Sequence, residues 1–310
     1  GRRARRPGPA RGPAALERRV MRGIARPARR AARPAAGIRP LALLLPALLL
    51  AACVAPPPPP PVPPLAYPPA ARERMLRIAQ AEWEDWGRLR AEAMPRDRLP
   101  IPGTLESDAA NFPRVLAYWR ALPEAEGAAA IARNRARYAA GSTDLWREPA
   151  WSAAFISFVM RAAGVDAREF PPSAAHAFYL DALIADAERF PATAPFIPHE
   201  PGARAPRVGD LVCADRSASP IRSWRQRAAD GGRFRPTHCD IVVRVGPGFV
   251  EAIGGNVLDA VTLSRFPTDA AGRLLPRPRG EPTWFAVLEN RLGCLPPWSS
   301  PSCNTEGPST

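Results

Sequence analysis

The chain has 310 residues, 46% of them apolar, and a formal net charge of +14 that at first points to nucleic acid. The distribution of that charge excludes it: residues before Cys53 hold 13 Arg and one Glu, leaving 30 basic and 28 acidic residues for the rest. A nucleic-acid binder carries its basic patch on the folded domain, so no nucleic acid is expected as a partner, and the Lys-free, all-Arg usage reads as a GC-rich genome.

In chain order, the Arg-rich opening leads into Leu41-Ala42-Leu43-Leu44-Leu45-Pro46-Ala47-Leu48-Leu49-Leu50-Ala51-Ala52-Cys53. A basic segment, a short apolar run and small residues form the pattern of a signal peptide over residues 1–52. The apolar run is too short to cross a bilayer, which takes about 20 residues. Leu50-Ala51-Ala52-Cys53 resembles the bacterial lipobox, which implies a lipidated Cys53, a membrane anchor and a periplasmic location on the outer or inner membrane. Met21 would give a signal of more ordinary length. Residues 53–70 then form a tether, nearly all proline from Pro56 to Pro64, of polyproline II character.

The folded part is expected over residues 71–295, followed by a flexible tail over 296–310. Ala71 to Ala93 reads as a helix with a core-facing stripe of Met75, Ile78, Trp83, Trp86 and Leu89. Asn111 to Ala121 and Ala125 to Ala139 read as two more. The run from Pro149 to Met160, closed by Gly164, reads as a helix apolar on all sides and therefore central to the core. Ser152 falls in its first turn, where backbone N–H groups lack partners and the dipole favours negative charge. Ser173 to Phe190 is the next helix, with Ser173 as its cap and His176 in its first turn.

Past Pro206 the pattern turns to strands. Leu211 to Ala214, His238 to Val245, Phe249 to Ile253, Val261 to Leu263 and Trp284 to Leu288 read as a small antiparallel sheet, with Gly254-Gly255-Asn256 as a turn. Helices first and sheet second define an α+β domain.

Four motifs in register carry a family resemblance: Trp151-Ser152-Ala153-Ala154-Phe155, Gly209-Asp210-Leu211-Val212, His238 opening a strand, and Gly254-Gly255-Asn256. Over about residues 146 to 290 they resemble the papain-like amidases of bacterial cell walls, the CHAP and NlpC kind. More narrowly they resemble a bacterial domain-of-unknown-function family, number 2272. The resemblance implies a papain-like fold and an amidase or endopeptidase acting on peptidoglycan peptides. It places Ser152 as nucleophile where those families have Cys, His238 as general base and Asn256 as the group orienting His238. Trp151 and His176 are then expected to contact substrate.

The chemistry of that substitution is demanding. A helix terminus contributes roughly 0.3 to 2 kcal/mol, too little to ionise a hydroxyl, so a Ser version depends on its base. Against these roles stand plainer ones: Ser152 as a helix cap, His238 as a strand residue, Asn256 as a turn residue, His176 as a surface histidine. Glu251 is the alternative third group, and His199 reads as a loop residue. A second expectation is a catalytically inactive relative that binds peptidoglycan or an envelope partner. No metal or cofactor is expected, since His176, His199 and His238 lack ligand spacing. In an oxidising compartment the cysteines are expected to pair as Cys213–Cys239 and Cys294–Cys303.

Overall fold

The computed structural model describes residues 61–92 and 105–298. The signal region, Cys53, Cys303 and most of the tail lie outside the described residues. Helix α1 spans Pro69–Asp85. It ends earlier than its stripe predicts, because Gly87 (φ 87°) and Arg88 (φ 58°) turn the chain into the short strand β1, Arg90–Glu92. After a 3-10 turn at Ala109–Asn111 come α2, Phe112–Arg120, and α3, Glu124–Ala139. Then follow α4, Ser152–Ala162, and α5, His176–Arg189.

The second half supplies β2, Phe196–His199; β3, Leu211–Asp215; the short helix α6, Trp224–Ala228; β4, Thr237–Gly246; β5, Phe249–Val257; β6, Ala260–Pro267; and β7, Thr283–Asn290. They form a seven-stranded sheet in the order β1-β6-β5-β4-β3-β7-β2, antiparallel except for the β1–β6 pair. The molecule is thus a mixed α+β domain, with most helices in the first part of the chain and most strands in the second; only β1 and α6 fall outside that order.

Alternation along the strands divides the core in two. Leu211, Cys213, Cys239, Ile241, Ile253 and Leu263 pack with Phe155, Ile156 and Val159 of α4 in the main cluster. Val212, Ala214, Val242, Val250, Ala252 and Trp284 form a second cluster, in which Leu274 also packs. Cys213 and Cys239 are direct cross-strand partners and form a disulfide, as expected.

Helix α4 is buried along most of its length and ends in a Schellman motif: Val165 N–H donates to Met160 O and Gly164 N–H to Arg161 O, with Gly164 at φ 87°. Its start differs from the expectation of Pro149, since Trp151 is the N-cap position and Ser152 the first helical residue. Helix α5 likewise begins at His176, and Ser173 does not cap it; the Ser173 hydroxyl donates to Glu126 and accepts from Ala175 N–H.

Two further expectations are revised. His199 lies on β2, opposite Val287, and bonds diagonally to Glu289 of β7 at 2.8 Å, so it is a strand residue. Residues 61–68, read as free tether, lie against the domain: Leu65 N–H and the Tyr67 hydroxyl both donate to the buried Glu169 carboxylate, and Arg168 donates to Val62 O. Among the described residues no helix is long and apolar enough to cross a membrane.

Candidate active site

Ser152 sits at the uncapped N-terminus of α4, where no side chain takes up the first-turn N–H groups. Its hydroxyl is therefore not a cap. It lies 2.7 Å from Nε2 of His176, which the first turn of α5 directs back at it. His176 Nδ1 is bonded in turn to the Tyr179 hydroxyl, one helical turn on. All three residues are buried, Ser152 at 8% exposure and His176 at 3%.

Burial holds the His176 pKa well below the ordinary histidine value, and the charges of His238 and Arg216 push in the same direction. His176 is therefore a neutral imidazole at pH 7, able to accept a proton. With its proton on Nδ1, it donates to the Tyr179 oxygen and presents the Nε2 lone pair to Ser152.

The expected base is placed differently. His238, second in β4, has its ring 5.2 Å from that of His176, at a steep angle. Its Nε2 donates to Asp240 Oδ1 at 2.8 Å, and its Nδ1 is buried without a partner. Asp240 shares a strand face with His238 by the two-residue period. Gly254 makes room for this pair, since a Cβ there would fall 1.8 Å from Asp240 Oδ1. The hydrogen-bonded partner of Ser152 is thus His176, not His238.

Asn256 does not orient His238 either. It adopts φ 57° and donates from Nδ2 to Glu106 Oε2 at 2.8 Å. The same carboxylate oxygen accepts the Trp151 indole N–H at 2.6 Å. Burial pushes the Glu106 carboxyl up to about 7. Trp151 is fully buried and stacks on Trp86 at 5.3 Å, the packing of a core residue. Glu251, the alternative third group, is held by Arg244 and Arg265 elsewhere on the sheet. Asp210 of the Gly209-Asp210-Leu211-Val212 motif is structural: its carboxylate accepts Asn290 N–H and Arg207 N–H.

Tyr179 and Asp240 were within reach of sequence reasoning, three residues after His176 on a helix and two after His238 on a strand. Glu106 carries no local signal. A cleft of about 320 Å3 opens on the second sheet face; His238, Asp240 and Asn256 line it with Ala214 and Trp284, whereas Ser152 and His176 do not. Among the described residues no three His, Cys, Asp or Glu side chains gather as a metal site.

Fold and site together define an α+β domain with a buried Ser-His-Tyr chain at a helix N-terminus and a His-Asp pair beside it. The chain belongs to the family described as uncharacterized protein conserved in bacteria (DUF2272), whose model matches residues 106–290. No curated protein and no solved structure matches it.

Proposed function

We propose that this protein is an envelope hydrolase, anchored through a lipid on Cys53, that cleaves an amide bond in peptidoglycan peptides with Ser152 as nucleophile. The observation that carries the reading is the 2.7 Å contact between the Ser152 hydroxyl and a neutral His176 at an uncapped helix N-terminus. The envelope and the peptide substrate rest on the lipobox-like segment and on the resemblance to papain-like cell-wall amidases. In this mechanism the Ser152 oxygen attacks the carbonyl carbon as its proton passes to His176 Nε2. The first-turn N–H groups of α4 hold the developing oxyanion. Collapse breaks the C–N bond, the leaving amine takes the proton from His176, and the acyl group remains on Ser152 as an ester. Water then attacks the ester, giving its proton to His176, which returns it to Ser152. The Tyr179 oxygen accepts the Nδ1 proton in the tautomer that the first step requires.

A second reading is a catalytically inactive relative that binds peptidoglycan or an envelope partner. It is favoured by the cleft, which His238 lines and Ser152 does not. Incubation with purified peptidoglycan separates the two. The hydrolase reading expects release of soluble peptides by the native protein, with release lost in Ser152→Ala. Binding without release by the native protein, by Ser152→Ala and by Ser152→Cys would establish the second reading instead.

A further inference from the structure

The cleft on the second sheet face is walled by apolar groups, among them Val257, Phe266 and Trp284, and Leu258 and Leu275 stand at it 42% and 41% exposed. Its volume of about 320 Å3 falls at the small end of ligand-binding cavities, which are mostly apolar with a few polar groups that fix orientation.

One cation in its wall has no contact partner among the described residues. Arg265 donates to Glu251, Arg277 donates to Glu281 and lies over the Phe266 and Trp284 rings, and Asp240 holds His238. Arg216 remains. It is exposed at the end of β3, and among the described residues no hydrogen bond or ion pair engages its guanidinium. An unpaired guanidinium beside an apolar wall matches a ligand with an apolar body and an anionic head, because Arg recognises a carboxylate through two parallel N–H donors.

The geometry points to a binding site for an amphipathic carboxylate, with its head on Arg216 and its body against Leu258, Phe266, Leu275 and Trp284. This assignment stands whether or not Ser152 is a nucleophile. A carboxylate of this kind is offered both by a free acyl chain and by the C-terminus of an apolar peptide.

Titration of the purified protein's tryptophan fluorescence tests it, with octanoate and N-acetylphenylalanine as probes and octylammonium, octanol and N-acetylphenylalaninamide as controls. Saturable binding is expected for the carboxylates, about tenfold or more tighter than for the matching controls. Arg216→Ala should remove that preference, Arg216→Lys should keep part of it, and Ser152→Ala should leave it unchanged. Tighter binding of octanoate identifies the acyl chain as the source, and tighter binding of N-acetylphenylalanine the peptide. Equal binding of carboxylates and controls, no saturable binding, or an Arg216→Ala variant that keeps the preference would overturn the assignment.

Discussion

At the scale of single residues, Glu106 joins Trp151 before α4 to Asn256 on β5 and keeps its carboxyl pKa at about 7, against an ordinary 4.5. Burial is the main cause; the Trp151 N–H pulls the value down, the charge of Asp259 raises it, and Asn256 lowers it. Between 4.5 and 7 the folded protein therefore holds a proton that the unfolded chain has released, so this group's contribution falls as pH rises through that window. The loss amounts to about 3 kcal/mol by linkage. Glu106→Gln keeps an acceptor for both N–H groups and removes the titration. Denaturant unfolding at pH 5, 6, 7 and 8 should show the native protein losing stability relative to Glu106→Gln as pH rises; parallel curves would contradict the assignment. The Ser152–His176 pair was not legible at this scale. Sequence patterns place a hydroxyl and an imidazole in two helical first turns, but which imidazole meets the hydroxyl depends on how α5 docks beside α4.

At the scale of elements, periodicity located α2 to α5 and the five longer strands to within a few residues. It missed β1, too short to show a period, and β2, whose Pro198 reads as a loop. Pro198 is tolerated because β2 is the last strand in the sheet order, where a missing N–H need not cost a ladder bond. Gly254-Gly255-Asn256 reads as a turn by composition, yet both glycines lie within β5. The physical reason is the close approach of α4, since a Cβ on Gly255 would fall 2.5 Å from Phe155 Cβ. Gly255→Ala should therefore push α4 off β5 and cost about 1 to 3 kcal/mol. Gly202→Ala, with nothing within 4 Å of its added Cβ, serves as the reference. Equal unfolding midpoints for the two variants would contradict the close packing.

At the scale of the whole molecule, the folded unit begins before Ala71. Proline content alone makes residues 61–68 look like free tether, and the composition gives no sign that Glu169 waits for them. The Tyr67 hydroxyl donates to Glu169 and also accepts Asp166 N–H, and burial raises its own pKa to about 12. A chain starting at Ala71 leaves the Glu169 carboxylate buried without these two donors. It should unfold about 1 to 3 kcal/mol more easily than one starting at Pro61, and equal stabilities would show that the segment contributes nothing. The mixed α+β class was legible from the order of helices and strands, and the Cys213–Cys239 bridge from the pairing of two adjacent strands. The chemistry assigned to the molecule depends on one hydroxyl being reactive. The most direct measurement is intact-mass analysis after exposure to a fluorophosphonate, which forms a covalent bond with an activated serine oxygen. One adduct per chain is expected, mapped to Ser152 and lost in His176→Ala. No adduct, or an adduct on Ser152 that forms as readily in His176→Ala, would contradict it.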